Sequence, residues 1–198
     1  IIMIKVGFIG AGDISLLHSE GVHSSENAVL TGIWNRTRKK AEEKSGLFNC
    51  RVFDQVEDLI KAVDVVYVLT NMETHHQYAR QAIDAGKHVL VEKPTAVTIE
   101  EIEDLKKAAK AQGVQVAPVH NYIYEPSVTR AKDLIESGKI GDLVSLYVLY
   151  NIHHPESVAA RYPGVIRQIL THHAYCTLYL VGQPDKISCM KATVNDGT

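Results

Sequence analysis

The sequence predicts an α/β protein, in which an N-terminal doubly wound parallel sheet is followed by a second, incomplete α/β domain. Over the first 120 residues, short apolar segments alternate with segments of helical periodicity. This alternation is typical of right-handed crossovers and of a parallel sheet covered on both faces. Because the pattern changes after His120, we expect two domains, residues 1–120 and residues 121–198.

The elements of the first domain can be placed in order. Strand-like segments cover residues 4–9, 28–34, 52–53, 63–69, 88–91 and 114–119, and helical patterns cover residues 39–45, 56–62, 75–85 and 99–112. Gly46, Gly86 and Gly113 each follow a helical pattern, where a left-handed residue commonly ends the helix. Thr98 and Glu101 have the spacing of a capping box. Six strands in this order predict a Rossmann domain.

The second domain contains two predicted helices and two predicted strands. A helix over residues 126–137 leads through a Gly-Lys-Ile-Gly turn, residues 138–141, into a strand over residues 143–150. A helix over residues 165–181 precedes a strand over residues 186–190. Two strands would leave an exposed sheet edge with little to pair with. We therefore expect only the beginning of a domain.

A glycine turn follows the first strand. Gly10 allows a sharp turn, and Gly12 lets the backbone approach a ligand without a Cβ atom in the way. The next helix directs unpaired N–H groups at an anion, which favours a pyrophosphate. Ser15 stands where a third glycine is usual, and it is small enough for close packing. The predicted dinucleotide-binding segment is Gly10-Ala11-Gly12-Asp13-Ile14, although Gly-x-Gly also occurs in ordinary tight turns.

Composition limits the function classes. The chain has 198 residues and a formal net charge of −2, so nucleic acid is not an evident partner. Its apolar runs are too short to cross a membrane, and its N-terminus lacks the pattern of a signal peptide. Its three cysteines are widely spaced, which predicts neither a disulfide framework nor a zinc site. We expect a cytoplasmic protein.

Several motifs together resemble those of the Gfo/Idh/MocA oxidoreductases. They are the glycine turn, Thr70, His75, the Ala-Gly-Lys-His-Val-Leu-Val-Glu-Lys-Pro block at residues 85–94 and the Gly-Lys-Ile-Gly turn. The resemblance covers nearly the whole chain, and family members are usually much longer. It implies hydride transfer between a nicotinamide and a sugar, cyclitol or related polyol, in a homo-oligomer that associates through the substrate-domain sheet.

The end of the second strand bears on the choice of cofactor. Enzymes that use NAD commonly place a carboxylate there, which would repel a 2′-phosphate. Here Asn35 is neutral, and Arg36 and the Thr37 hydroxyl can bind such a phosphate. Basic residues also occur on solvated helix starts, but the helix dipole disfavours cations there. The sequence therefore favours NADP, and NAD remains possible.

Lys93 is the first candidate for catalysis, because it follows a central strand at its carboxyl end. The resemblance implies that it orients the substrate oxygen, whereas a loop lysine paired to Glu92 is the alternative. Glu92 and Lys93 are also predicted to border the cofactor. By the same resemblance, Thr70 and Asn71 border the nicotinamide ribose. His75 is a further cofactor candidate, and a locally bonded helix histidine is equally consistent with the sequence.

The family pattern places an aspartate and, four residues later, a histidine near the nicotinamide. Here those positions hold Gln168 and His172. Gln168 cannot take a proton at neutral pH, so we expect it to hold the substrate and His172 to act as the base. His172 could instead be satisfied by a neighbouring carbonyl. The Gln168 departure keeps a second hypothesis open, a catalytically weakened dinucleotide-binding sensor or partner subunit.

Three adjacent histidine pairs raise the question of a metal site. They are His75-His76, His153-His154 and His172-His173. Adjacent side chains point in different directions on a helix or strand, and no His-x-x-x-His spacing accompanies them. We therefore expect no metal site.

Overall fold

A computed structural model describes residues 2–150 and 169–190 of the chain. The chain divides into two compact units, Ile1–Val119 and His120–Thr198. No helix in the described ranges is long and apolar enough to cross a lipid bilayer.

The first unit is built on six parallel strands in the order β3-β2-β1-β4-β5-β6. The strands are β1 (Ile4–Ile9), β2 (Ala28–Trp34), β3 (Arg51–Val52), β4 (Val65–Val68), β5 (His88–Val91) and β6 (Val116–Pro118). The helices are α1 (Ile14–His23), α2 (Arg38–Phe48), α3 (Val56–Ala62), α4 (His75–Asp84) and α5 (Ile99–Gln112). This strand order is that of a Rossmann domain, which confirms the predicted fold class.

Two apolar clusters cover the two faces of the sheet. One cluster joins α1 and α2 to the sheet through Val22, Ala41 and Phe48, which pack with Phe8. The other joins α3, α4 and α5 to Ile9 and to the buried valines of β4 and β5. Successive residues of β1 therefore serve opposite faces, as the two-residue repeat of a strand requires. The loops that connect strands to helices lie at the carboxyl ends of the strands.

Local signals placed most element boundaries correctly. The bounds of β1, β2, β5, α3 and α5 agree with the prediction. Strands β4 and β6 are shorter than predicted, β3 lies one residue earlier at both ends, and α4 ends one residue earlier. The capping box is present: the Thr98 hydroxyl accepts a hydrogen bond from the Glu101 N–H at 3.3 Å. Gly86 and Gly113 have positive φ angles, as predicted.

The prediction that Gly46 ends α2 was wrong. Helix α2 continues to Phe48, and Asn49 takes the left-handed position with φ +49°. The Phe48 side chain is fully buried and lies edge-on to Phe8, with 6.3 Å between the ring centres. Burial of this ring favours one more helical turn, which outweighs the preference of glycine for a helix end.

In its described residues the second unit is helical. It contains a short 3₁₀ turn at Asn121–Tyr124 and the helices α6 (Pro126–Glu136) and α7 (Thr171–Val181). The predicted start of the last helix at residues 165–168 lies outside the described residues. No strand forms at residues 143–150 or 186–190, which corrects the prediction. A β-strand needs a neighbour to accept its hydrogen bonds, and no described segment provides one.

Candidate functional site

The glycine turn lies against the loop that follows β4. Gly10 has φ +116°, and a Cβ atom there would lie 2.7 Å from the Leu69 carbonyl group. Only glycine therefore fits at this position. A Cβ atom on Gly12 would meet nothing within 4 Å, so this part of the turn borders open space. Ser15 is fully buried, and its hydroxyl donates a hydrogen bond of 2.6 Å to the Gly12 carbonyl oxygen.

Asn35 joins the glycine turn to the end of β2. Its Oδ1 atom accepts a hydrogen bond from the Ala11 N–H at 3.1 Å, and its Nδ2 donates to the Thr37 carbonyl oxygen at 2.9 Å. The neutral amide thus makes both bonds within the protein. Thr37 precedes α2, but its hydroxyl does not cap the helix, so the helix start is not closed by this side chain.

A cleft opens at the carboxyl ends of β1, β2 and β4. It brings together three of the predicted groups: the glycine turn, the segment after β2 and the loop after β4. Its lining residues are Gly10, Ala11, Gly12, Trp34, Asn35, Arg36, Thr37, Lys40, Leu69, Thr70, Asn71, Thr74 and Tyr78. Of the predicted cofactor residues, Asp13, Ile14, His75, Glu92 and Lys93 do not line this cleft.

Sequence reasoning missed part of this lining. Trp34 is the last residue of β2, and its ring lies edge-on to Tyr78 with 5.5 Å between the ring centres. Thr74 and Tyr78 are four residues apart, and the Thr74 hydroxyl donates to the Thr70 hydroxyl at 2.8 Å. The available signal was the position of Trp34 at the carboxyl end of a strand, where ligands gather in such sheets.

Three cations near the start of α2 differ in their surroundings. Arg38 contacts Asp54 and pairs with Glu42 at 2.7 Å, so two carboxylates of the protein balance its charge. Arg36 and Lys40 instead line the cleft, and both are exposed. The first turn of α2 contains no acidic residue. The positive charge at the cleft therefore comes from Arg36 and Lys40.

The loop after β5 holds a buried carboxylate. Glu92 is 8% exposed, and its Oε1 atom lies 2.9 Å from Nε2 of His18 on α1. Its Oε2 atom accepts a hydrogen bond of 3.0 Å from the Lys93 N–H. Burial raises the pKa of Glu92, but the hydrogen bond and charge of His18 and the adjacent Lys93 lower it by more, to below its ordinary value. Glu92 is therefore ionised at neutral pH.

His18 did not emerge from the sequence, although a signal was present. Ser15, His18, Ser19 and Val22 have the spacing of one helix face, and Ser15, Ser19 and Val22 are buried. A histidine on a face that packs against the sheet needs a polar partner. The Glu92 carboxylate meets that need.

The His75 ring joins two loops. It is 1% exposed, and its Nδ1 and Nε2 atoms lie 2.8 Å and 2.9 Å from the carbonyl oxygens of Pro94 and Thr70. Since both nitrogens are engaged within the protein, this geometry favours the locally bonded alternative over direct contact with a cofactor. Its neighbour His76 faces elsewhere and lies 2.8 Å from the Asp104 carboxylate.

His172 lies in a buried polar group of the second unit. Its Nδ1 atom is 2.6 Å from the Tyr175 hydroxyl, which accepts from the Tyr122 N–H at 3.2 Å and donates to Asn121 Oδ1 at 3.3 Å. The Tyr122 ring stacks on His172, and the His120 ring stacks on Tyr175. Burial lowers the pKa of His120. Gln168 lies outside the described residues.

The described residues contain no cluster of three histidine, cysteine, aspartate or glutamate side chains that could hold a metal ion. Cys50, Cys176 and Cys189 are free thiols, and burial raises the pKa of Cys50 to about 11. A thiol with so high a pKa is a poor nucleophile at neutral pH.

The strand order, the glycine turn and the cleft at the carboxyl edge define a dinucleotide-binding Rossmann protein. Residues 4–120 match the family described as "Oxidoreductase family, NAD-binding Rossmann fold". The chain belongs to this family, the Gfo/Idh/MocA oxidoreductases, as the motifs predicted.

Relatives with assigned activities are found in Bacillus subtilis. The chain is 34% identical to glucose-6-phosphate 3-dehydrogenase over 146 residues, which is 74% of this chain and 42% of the relative. It is 31% identical to scyllo-inositol 2-dehydrogenase (NADP(+)) over 195 residues, 93% of this chain and 54% of the relative. The chain thus spans about half the length of these relatives.

A solved structure is similar to most of the chain. The Bacillus subtilis protein YvaA superposes with a TM-score of 0.81 at 30% identity, over 92% of this chain and 53% of that chain. The similarity therefore extends past the Rossmann domain into the second unit.

Proposed function

We propose that this protein is an NADP-dependent oxidoreductase that transfers a hydride between nicotinamide and a hydroxyl or carbonyl carbon of a sugar, cyclitol or related polyol. The observation that carries the cofactor choice is the charge of the cleft. Arg36 and Lys40 line it, and its described lining residues include no carboxylate. A 2′-phosphate would find charge-assisted donors there, with the Thr37 hydroxyl beside them.

The residues present fit a dinucleotide. Open space beside Gly12 lets a pyrophosphate approach the backbone, and the positive end of the α1 dipole lies beside this turn. The Ser15 and Leu16 N–H groups already donate to the Gly12 and Asp13 carbonyl oxygens, so the helix contributes mainly through its dipole. Ala11, Asp13 and Ile14 complete this segment. Thr70 and Asn71 would border the nicotinamide ribose, on the same cleft. The name of the relative scyllo-inositol 2-dehydrogenase (NADP(+)) specifies NADP, which supports NADP as the cofactor here.

For the chemical step we assign distinct roles to three residues. A bound nicotinamide supplies the hydride acceptor or donor. Lys93 would donate a hydrogen bond to the reacting oxygen, His172 would take the hydroxyl proton during oxidation, and Gln168 would hold a further hydroxyl. These roles follow from the resemblance and from the chemistry of each side chain.

The surroundings of His172 support its role as a base. The Tyr175 oxygen accepts from the Tyr122 N–H, and its proton has Asn121 Oδ1 as an acceptor. When the Tyr175 hydroxyl donates to Asn121 Oδ1, the bond of 2.6 Å between His172 and Tyr175 is donated by His172 Nδ1–H. In a neutral ring of that tautomer, Nε2 is the basic nitrogen that would accept a proton.

The function is tested by binding and turnover. NADPH and NADH are titrated separately by nicotinamide fluorescence, and a panel of sugars and cyclitols is screened by absorbance of the reduced cofactor. We expect tighter binding of NADPH and turnover of at least one polyol. Equal affinities for the two cofactors would refute the choice of NADP.

A second candidate is a dinucleotide-binding sensor or partner subunit. The observation that favours it is Gln168, which stands where the family pattern has an aspartate. Binding of NADPH without turnover of any substrate in the panel would favour this candidate over the enzyme.

We also propose that the protein is a cytoplasmic homo-oligomer, for which residues 143–150 are the candidate contact. Val144, Tyr147 and Leu149 are each more than 80% exposed in the described structure. Contiguous exposed apolar side chains favour association. Light scattering over a wide concentration range should show a species larger than the monomer of 21.9 kDa. A monomer at every concentration would contradict this.

A further inference from the structure

The residues on both sides of Lys93 are held by histidines from two different helices, of which His75 is buried and His18 is half-buried. Glu92 precedes Lys93 and contacts His18 of α1; Pro94 follows Lys93 and contacts His75 of α4. Neither contact is local, because Glu92 and His18 are 74 residues apart and Pro94 and His75 are 19 residues apart. The loop that carries Lys93 is therefore fixed from both sides by tertiary contacts.

The His18 contact connects this loop to the helix that follows the glycine turn. Since Glu92 is ionised, its Oε1 atom can only accept, and His18 Nε2–H must donate. The His18 ring lies between aromatic rings, edge-on to Tyr67 and to Phe8. His18 is also linked indirectly to Lys93, because the other carboxylate oxygen of Glu92 accepts a hydrogen bond from the Lys93 N–H at 3.0 Å. A change at His18 is thus transmitted to the Lys93 backbone.

The His75 contact connects the loop to Thr70 of the dinucleotide cleft. Its two ring nitrogens lie within 3 Å of the Pro94 and Thr70 carbonyl oxygens, and both oxygens can only accept. A neutral ring donates to one of them, and an imidazolium donates to both. In either state a single rigid ring spans the loops that follow β4 and β5.

We propose that His18 and His75 are positioning residues that set the place of Lys93 relative to the dinucleotide cleft. The His75 ring connects Pro94 to Thr70, which lines the cleft. The His18 ring connects Glu92 to α1, the helix that follows the glycine turn of the cleft. This inference rests on the proposed function for its catalytic consequence. Fixed placement matters because small displacements of a reacting group slow the chemical step strongly.

The chain contains a matched control for each histidine. His23 is also on α1, but its Nδ1 atom lies 2.7 Å from the Ser19 carbonyl oxygen of its own helix. His76 is also on α4, but its partner is Asp104, which keeps a second contact with Arg80. Neither control side chain is hydrogen-bonded to the Lys93 loop. Each of the four histidines is replaced by leucine. The control variants lose only a helix histidine, whereas the His18 and His75 variants also lose a contact with the Lys93 loop.

The first readout needs neither substrate nor cofactor. Hydrogen exchange at the Lys93 amide is followed by mass spectrometry in the full chain. We expect exchange to be about tenfold faster in His18→Leu and His75→Leu, because loss of a charged or buried hydrogen bond lowers the cost of local opening. His23→Leu and His76→Leu should change it less than about twofold. Unchanged exchange in the first pair, or equal acceleration in both pairs, would overturn the inference.

A conservative variant guards against a failure to fold. Glutamine can place its Nε2 donor near that of histidine, so His18→Gln should restore slow exchange at Lys93. If His18→Leu does not fold, slow exchange in His18→Gln beside fast exchange in Glu92→Ala supports the inference. Fast exchange in folded His18→Gln, or slow exchange in Glu92→Ala, opposes it.

The second readout tests the catalytic consequence. With a polyol that the unaltered protein oxidises, kcat should fall by about ten- to a hundredfold in His18→Leu while the Kd of NADPH changes less than about threefold. Normal kcat with fast Lys93 exchange would overturn the catalytic part. If the unaltered protein turns over no substrate, the proposed function fails, and the exchange measurement still decides whether the histidines hold the loop.

Discussion

The two units of the chain hold their candidate residues in opposite ways. In the first unit, Arg36 and Lys40 are exposed along the cleft. In the second unit, His172 is 7% exposed, with its ring stacked on Tyr122 and its Nδ1 atom bonded to Tyr175. A residue that recognises a ligand phosphate must reach the ligand from the surface. A residue that moves a proton needs a fixed orientation and a defined tautomer, and both are set by buried neighbours.

The largest expected effect is on kcat, and it tests the role of the buried residue His172. His172→Ala should lower kcat by about 10²–10⁴-fold, the usual contribution of a general base, and should leave the Kd of NADPH nearly unchanged. Steady-state kinetics with an identified polyol and a fluorescence titration measure the two quantities. A near-normal rate would move the role to Lys93 or His173.

Within the dinucleotide cleft of the first unit, two glycines of the same turn are expected to have different roles. Gly10→Ala should lower the free energy of unfolding by about 3 kcal/mol or more, because the new Cβ atom meets the Leu69 backbone at a positive φ angle. Gly12→Ala should leave that free energy almost unchanged and should weaken NADPH binding instead. Urea unfolding and fluorescence titration compare the two variants. Equal loss of stability in both would refute the assignment of separate roles.

The choice of cofactor depends on Arg36. Arg36→Ala should weaken NADPH binding by about 1.5–3 kcal/mol, the usual contribution of a hydrogen bond to a charged group, with little effect on NADH. Arg38→Ala is the matched control, since that side chain is paired with Glu42 and Asp54. Titrations of both variants with both cofactors measure the difference. An equal loss in Arg38→Ala would assign the effect to the general charge of the helix start.

The smallest expected effect concerns acid stability. The pKa of Glu92 is lower in the folded protein than its ordinary value of 4.5. Its contribution to stability is therefore fully present above pH 4.5 and is lost as the pH falls through the lower, folded value. Urea unfolding between pH 6 and pH 3, about the range of carboxyl titration, should show a shallower decline in Glu92→Gln than in the unaltered protein. Parallel declines would mean that this carboxyl does not contribute.

Much of the fold was predictable because its signals are short in range. The glycine turn after β1, the capping box at Thr98 and the bounds of α3 and α5 depend on residues within a few positions of one another. The alternation of strands and helices then leaves few possible topologies for a parallel sheet. In the structure the glycine turn, Asn35 to Thr37 and Thr70 to Asn71 line one cleft. The first two segments were singled out from local signals, and Thr70 and Asn71 from the family resemblance.

Other predictions failed where distant residues decide. Helix α2 extends past Gly46 because the Phe48 ring is buried against Phe8, forty residues away in the sequence. Residues 143–150 have the alternation of a strand, but a strand forms only beside a partner, and the described residues provide none. A periodic pattern indicates which face of a helix or strand could be buried. It does not indicate whether a partner strand or helix lies beside it.

The sequence alone determined the order of elements in the first unit, the glycine turn, the family and the motif that contains Lys93, since each depends on local spacing or on a contiguous motif. Only the tertiary structure showed that His18 and His75 hold the residues beside Lys93, and that Arg38 is balanced by Asp54 while Arg36 lines the cleft. A hydrogen bond or ion pair requires its two groups to lie within a few ångströms. That distance is set by the packing of helices on the sheet, which brings together residues far apart in the chain.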